Sequence, residues 1–405
     1  MTVTPNTSLD RTIEVPGLVV GRHVKGRLIR VQPGGKGINV ARCLAALGVP
    51  SAITGLVGEA ELPLFRRAFH GSPARLELVP TAQPTRTCTT LLDPELHTDT
   101  HVREEGGPVT PEELQALRAR LEGLAGPQAI VVFCGSLPPG MDDAHLAALI
   151  AACRLRGAGV ALDLNGPQLR AALAHLPPPS NPPPQAPGQQ ESVPQLFNCG
   201  TPVQNPAPPA ELGEASIPQL NNCGIMVDGP SASTVRPRTE IPQLNNCGRL
   251  FDGASAAGVG RKTGVPQLFN CGILVVKPNV EELGECLGRG LSGAREAELV
   301  LAASALLDRV GTVLVTRGRA GALAVCAGEA LAGALEVSAA RNTVGCGDAF
   351  LAGYLAALWR GLPLAEALRL AVACGAAQAQ AEAPGQISAE SVDALAPHVT
   401  IRPLH

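Results

Sequence analysis

Aromatic residues are nearly missing from this chain. Of 405 residues, seven are Phe, one is Trp and one is Tyr, so Ala, Val and Leu must build the core. Positive charge is not in excess either. The formal net charge is −3, which argues against a nucleic-acid protein held by bulk charge. No CxxC pair occurs among the 12 cysteines, which argues against zinc-ribbon and thioredoxin-like readings. No run of 18 apolar residues is present, so no membrane span is expected. The opening MTVTPNTSLDRT has no charged n-region followed by an apolar stretch, so a secretory signal is not expected and the cytoplasm is the expected compartment. Lysine is scarce as well: Lys25, Lys36, Lys262 and Lys277 are the whole set, against 28 arginines. With so much Ala, Gly and Pro, the Arg excess reads as coding bias from a GC-rich genome. It leaves the few lysines conspicuous.

Proline is abundant but uneven. Residues 177–272 hold 17 of the 37 prolines and four copies of one unit, VPQLFNCG at 193, IPQLNNCG at 217 and 241, and VPQLFNCG at 265, spaced by 24 residues. The spacers share no apolar pattern, whereas a solenoid needs matching buried faces in every repeat. PQLFNCG can be encoded CCGCAGTTGTTCAACTGCGG, whose reverse complement encodes PQLNNCG. The two versions of the unit are then the two readings of one near-palindromic DNA element. The segment is therefore expected to be a translated repeat array and a largely disordered surface loop.

The remainder, residues 1–176 and 273–405, alternates strand and helix patterns. Residues 129–134 (AIVVFC), 160–164 (VALDL), 273–277 (ILVVK) and 313–316 (VLVT) read as buried strands. Residues 142–157 have helical period, and 348–359 form a helix that is apolar almost all round. Such alternation predicts an α/β fold with a mostly parallel central sheet flanked by helices. Residues 17–32 and 86–104 break the pattern and suit a small antiparallel β lid.

Three segments could carry chemistry. In Asn342–Phe350 (NTVGCGDAF), Gly345 and Gly347 permit close backbone approach just where a long helix begins, which makes an anion site. Asp348 at its edge is either a helix cap or a general base. In PGGKGINVAR, Gly35 and Lys36 belong to a glycine turn that opens a helix, but the spacing is neither a P-loop nor a dinucleotide turn. In KPNVEEL, Lys277 ends a strand. Asn279 and Glu282 are either a capping box or groups that organise a hydrated Mg²⁺.

Taken together, and in chain order with Gly-Gly-Lys-Gly early, Asn-x-x-Glu late and Gly-x-Gly-Asp near the C-terminus, the three segments resemble the ribokinase-like (PfkB) carbohydrate kinases, over everything except 177–272. Residues 2–10 (TVTPNTSLD), taken as the first strand, together with PGGKGINVAR look like the branch containing 1-phosphofructokinases and tagatose-6-phosphate kinases. The resemblance implies Asp348 as catalytic base, with Gly345, Cys346 and Gly347 offering N–H groups to the transferring phosphoryl. It implies Asp10, Gly35 and Asn39 at the sugar, Lys36, Arg86 and Arg103 on its phosphate, and Ser136 nearby. It implies Lys277, Asn279, Thr316, Gly318 and Gly321 at the nucleotide, and Glu282 and Asn279 acting on Mg²⁺ through water. The expected reaction is ATP-dependent conversion of fructose 1-phosphate to fructose 1,6-bisphosphate. The alternatives are a tagatose-6-phosphate or fructose-6-phosphate kinase, or an inactive sugar-phosphate-binding protein disrupted by the insertion. Lids of this family often pair, so a homodimer through the lid is one assembly the resemblance allows. Cys346 departs from the usual Ala and is either a small-residue swap or a thiol activated by the helix N-terminus.

Overall fold

The computed structural model describes residues 1–96, 98–175, 273–337, 340 and 343–404. The repeat segment at 177–272 and Asn342 lie outside the described residues. In chain order come β1 (Thr2–Thr4), β2 (Ser8–Glu14), β3 (Arg27–Gly34), α1 (Lys36–Ala46), β4 (Ser51–Gly58), α2 (Leu62–Ala68), β5 (Ala74–Leu76), β6 (Val79–Thr81), β7 (Arg86–Asp93), β8 (Thr98–Arg103), α3 (Pro111–Leu124), β9 (Ile130–Cys134), α4 (Asp143–Leu155), β10 (Gly159–Asp163) and α5 (Gly166–His175). The chain resumes with β11 (Ile273–Val276), α6 (Val280–Leu287), α7 (Glu296–Ser304), β12 (Val310–Thr316), β13 (Ala322–Cys326), β14 (Glu329–Ala334), α8 (Cys346–Trp359), α9 (Leu364–Gln380), α10 (Ala389–Leu395) and β15 (Thr400–Pro403).

The large sheet runs β15-β14-β13-β12-β11-β10-β9-β1-β4-β5, with β6 also on β4. From β5 across to β12 the pairings are parallel, and β13 to β15 close one edge antiparallel. Side chains alternate across a strand, so each strand feeds two cores. Val131 and Phe133 of β9 pack with α3 and α4 on one face, while Val132 and Cys134 pack with α1, α8 and α9 on the other. Small residues make the second core possible. In α8 every residue from Asp348 to Ala357 is buried, and Tyr354 is among the largest fully buried side chains.

The lid is a separate sheet ordered β3-β2-β7-β8. Its two hairpin-like pairs are antiparallel, and they join through a parallel pairing of β2 with β7. Two sequence expectations shift here. Residues 2–10 are not one strand. Pro5 has no N–H to give a ladder, and the chain leaves the body after Thr4 and enters the lid at Ser8. Within residues 17–32 only the end, from Arg27, is a strand. The start is a turn whose Gly17 and Leu18 N–H groups donate to the Asp93 carboxylate at 3.1 and 2.7 Å.

The described chain stops at His175 and resumes at Ile273, at the amino end of the parallel strand β11.

Candidate active site

In parallel sheets, ligands gather at the carboxyl ends of the strands. Here those ends bring together Asn6 beyond β1, Ser136 beyond β9, Asp163 closing β10, Lys277 beyond β11 and Thr316 closing β12. The loops that follow carry nearly all the residues singled out from the sequence.

The start of α8 is a glycine turn. Gly345 is its cap residue, at φ 81°, and offers no side-chain cap hydrogen bond. A Cβ on Gly345 would lie 3.1 Å from Pro384 Cβ in a backbone region that L residues avoid. Asp348 is therefore the third helical residue, not a cap. Its Oδ2 accepts from Asn39 Nδ2 at 2.9 Å, a contact between residues 309 apart in sequence. Both side chains are buried. Burial, reinforced by the nearby Asp163 carboxylate, raises the Asp348 pKa to about 7, against the opposing pull of Lys36, Asn39 and Lys277.

The glycines of the first loop have steric reasons. A Cβ on Gly34 would collide with the Asp10 carboxylate, and one on Gly37 with Thr4 Oγ1. Gly35, at φ 112°, caps α1 against Thr4 Cγ2. Lys36 is the one residue of the run with a side chain to project. Its Nζ donates to Asp163 Oδ1 at 3.2 Å and lies 4.0 Å from Glu282 Oε1. Burial works against the Lys36 charge, but Asp163, Glu282 and Asp348 outweigh it and raise its pKa above the ordinary lysine value. Lys36, which the resemblance places on the sugar phosphate, has Asp163 as its partner within the protein. Lys277 Nζ also reaches Asp163 Oδ1, at 3.1 Å. Burial resists ionisation of Asp163, and the two ammonium groups overcome it and lower its pKa.

On the lid side, Asp10 accepts from Ser8 Oγ at 2.7 Å. Burial raises its pKa, opposed by Ser8 and by Arg42, Arg86 and Arg103. Arg103 pairs across β8 with Cys88 of β7, which itself sits opposite Asp10, so Asp10 and Arg103 share a row of the lid. The Arg86 guanidinium donates to three backbone carbonyls, those of Thr7 (3.3 Å), Glu104 (3.0 Å) and Asn6 (3.1 Å). It clips the base of the lid to the body, and two of its five N–H groups are left over. Ser136 lies 3.5 Å from Asn6 Nδ2, which also donates to the carbonyls of Glu105 and Leu137.

On the other side, Asn279 and Glu282 form a closed capping box at α6, each bond 2.8 Å. Thr316 bridges to Asn279, and its N–H donates to the Pro278 carbonyl at 3.1 Å. The turn holding Gly318 and Gly321, both at positive φ, follows directly. Among the described residues no group of three His, Cys, Asp or Glu side chains could cage a metal. The capping box engages Asn279 Oδ1 and Glu282 Oε2, and Glu282 Oε1 faces Lys36. With one carboxylate oxygen outside the capping box, and that one shared with Lys36, these residues suit a Mg²⁺ that would keep its waters and take few protein ligands.

Two residues of this cluster were not singled out from the sequence. Asp163 was read only as part of the apolar strand VALDL, although a single carboxylate ending such a strand was a signal. Asn6 was quoted without a role.

The sequence matches the pfkB family carbohydrate kinase profile over residues 5–180 and 254–390. The chain belongs to that family. It is 31% identical over 411 aligned residues to the 1-phosphofructokinase of Rhodobacter capsulatus, covering 100% of this chain and 97% of the relative. It is 34% identical over 177 residues to the 1-phosphofructokinase of Xanthomonas campestris pv. campestris, covering 44% of this chain and 56% of that one. Among solved structures, phosphofructokinase-2 from Escherichia coli in complex with potassium shares the fold, with TM-score 0.70 and 20% identity over 98% of this chain and 97% of that one. The pfkB kinases are phosphotransferases with an alcohol group as acceptor, and this chain is one of them. No helix among the described residues is long and apolar enough to cross a membrane.

Proposed function

We propose that the protein transfers the γ-phosphoryl group of ATP to a hydroxyl of fructose 1-phosphate, giving fructose 1,6-bisphosphate and ADP. The observation that carries this reading is the Asp348 carboxylate in the first turn of α8 behind Gly345, tied to Asn39 and raised to a pKa of about 7. Phosphoryl transfer asks for positioning and charge neutralisation more than covalent chemistry. Ionised Asp348 accepts the hydroxyl proton as the sugar oxygen attacks phosphorus. The first N–H groups of α8, at Cys346 and Gly347, receive the charge on the transferring group. Asn39 Oδ1 is buried without a hydrogen-bond partner and accepts from a neighbouring sugar hydroxyl while Nδ2 orients Asp348. Asp10 holds another hydroxyl. Lys36, Arg103 and the remaining Arg86 donors grip the phosphate that the sugar already carries, with Ser136 beside it. Lys277, Thr316 and the Gly318–Gly321 turn line the nucleotide. Glu282 and Asn279 would hold Mg²⁺ through its waters, and the ion would supply charge neutralisation to the transferring phosphoryl.

The names of the two curated relatives favour fructose 1-phosphate over tagatose 6-phosphate. Phosphofructokinase-2 in complex with fructose-6-phosphate, of the same fold at TM-score 0.67, keeps fructose 6-phosphate in the comparison. ATP turnover against these three sugar phosphates tests the reading. We expect the highest kcat/KM with fructose 1-phosphate; turnover with none of them assigns the chain to the inactive binding proteins. Residues 1–176 and 273–405 act in this reading as one kinase unit, with 177–272 an appended loop. We also place homodimerisation at the lid, which exposes Val20, Leu28 and Val102. Leu28→Asp should then give a monomer in sedimentation.

A further inference from the structure

Asp163 closes β10 and is wholly buried, yet a single oxygen, Oδ1, meets both ammonium groups, Lys36 at 3.2 Å and Lys277 at 3.1 Å. Its other oxygen, Oδ2, is also buried and has no hydrogen-bond partner. The two lysines come from opposite halves of the crevice. Lys36 starts α1 beside the sugar loop. Lys277 follows β11 beside the nucleotide loop, and its Nζ lies 3.3 Å from where a Cβ on Gly347 would stand, against the start of α8. The two ammonium nitrogens lie within about 6 Å of each other, a spacing at which like charges disfavour one another unless an anion sits between them. The Asp163 charge offsets the repulsion between the two buried or half-buried ammonium groups, which a neutral acceptor would leave in place.

We propose that Asp163 is a positioning residue that yokes Lys36 to Lys277 through one shared oxygen. The orientation of the lysine on the sugar side then depends on the lysine on the nucleotide side. The inference rests on the functional reading above for the ligands of each lysine, but the yoke itself is a property of the free protein. While both lysines are present they share one carboxylate oxygen, so neither is its sole counter-ion and each remains available to a phosphate. Removing Lys36 leaves Lys277 as the sole counter-ion of a buried charge, so Lys277 is pulled onto Asp163 and away from the nucleotide. With a neutral residue at 163 this cross-effect disappears.

The scarcity of lysine makes the test direct, because full-length protein labelled with ¹⁵N at lysine Nζ contains only four side-chain ammonium groups. Lys36→Met should shift the Lys277 signal in protein that keeps Asp163, and should leave it in place in the Asp163→Asn background. Binding of a non-hydrolysable ATP analogue with Mg²⁺, followed by calorimetry, should weaken roughly three- to tenfold on Lys36→Met when Asp163 is present and change less than twofold when it is not. Should Asp163→Asn fail to fold, the reciprocal pair Lys36→Met and Lys277→Met in the native background still reports the coupling through the surviving lysine's signal. An unmoved Lys277 signal on Lys36→Met overturns the yoke. Signals that respond to each other but to neither the ATP analogue nor fructose 1-phosphate would leave the yoke standing and overturn the functional reading instead.

Discussion

Helices α6 and α8 both begin in the crevice, and both carry an acidic residue at their third position. In α6 that residue, Glu282, turns back to the N–H of its own cap residue, Asn279, and the helix start is closed. In α8 it is Asp348, which reaches across to Asn39 of α1 and does not turn back to its own cap residue, Gly345. The difference lies in the cap. Asn279 offers a side-chain oxygen that completes a reciprocal box, whereas glycine has none to offer, so the two acidic groups part company. A carboxylate answering to its own cap stabilises a helix. One answering to a different helix is held at a fixed place relative to another element, as catalysis requires.

The largest test of that contrast is Asp348→Asn. It keeps the shape and the contact with Asn39 but removes the proton acceptor, and kcat should fall by roughly 10³, within the range for lost general-base catalysis. Sugar-phosphate binding should stay within about threefold. A variant that turns over near the native rate would put Asp348 back among the structural residues. Stability should move the opposite way. Because the folded-state pKa is raised, the protonated carboxyl contributes fully below the ordinary value of 3.8, and that contribution is lost as pH rises through about 7. Asp348→Asn should therefore raise Tm at pH 8 and raise it much less at pH 4. The pH profile of kcat/KM comes next. Activity needs the ionised form, so it should drop about tenfold per unit below pH 7. The acid limb should vanish from the residual rate of Asp348→Asn.

Asn279→Ala probes the other helix. Opening the capping box should cost about 1 kcal/mol, read as a lower denaturation midpoint, with kcat changed far less than by Asp348→Asn. A loss of turnover as large as that of Asp348→Asn would mean that Asn279 works on the nucleotide more than on the helix. The smallest effect is expected from Cys346→Ala at the first position of α8. It should leave turnover nearly intact and abolish inactivation by a thiol reagent, against which ATP protects the native protein. Undiminished sensitivity in that variant would place the reactive thiol elsewhere.

Much of the body could be read from one chain because its signals are local. The apolar all-round pattern of α8, the glycine turn before α1 and the short Val-rich strands each sit within a dozen residues. The lid was only half legible. SLDRTIE alternates like a strand, but nothing local says that it leaves the body at Pro5 and pairs with Arg86–Asp93. The site was legible as residue types and not as partners. Asn39 bonds a residue 309 positions away, and Lys36 and Lys277 converge on an aspartate hidden in an apolar strand. Arg86 carried the right charge for a phosphate clamp. Its clip on three carbonyls depends on where the lid's base meets the body, which only the fold decides.

Ile273 opens β11 at its amino end, whereas Lys277 stands at the carboxyl end. In sequence the repeat array ends within a few residues of Lys277. In space a strand of four residues, about 13 Å long at ordinary strand rise, separates its amino end from the chemistry. Ile273 and Lys277 thus stand at opposite ends of one strand, so a change at the amino end of β11 reaches the chemistry only through the strand itself, and a tag or reporter grafted just before Ile273 joins the enzyme at the end of β11 remote from Lys277.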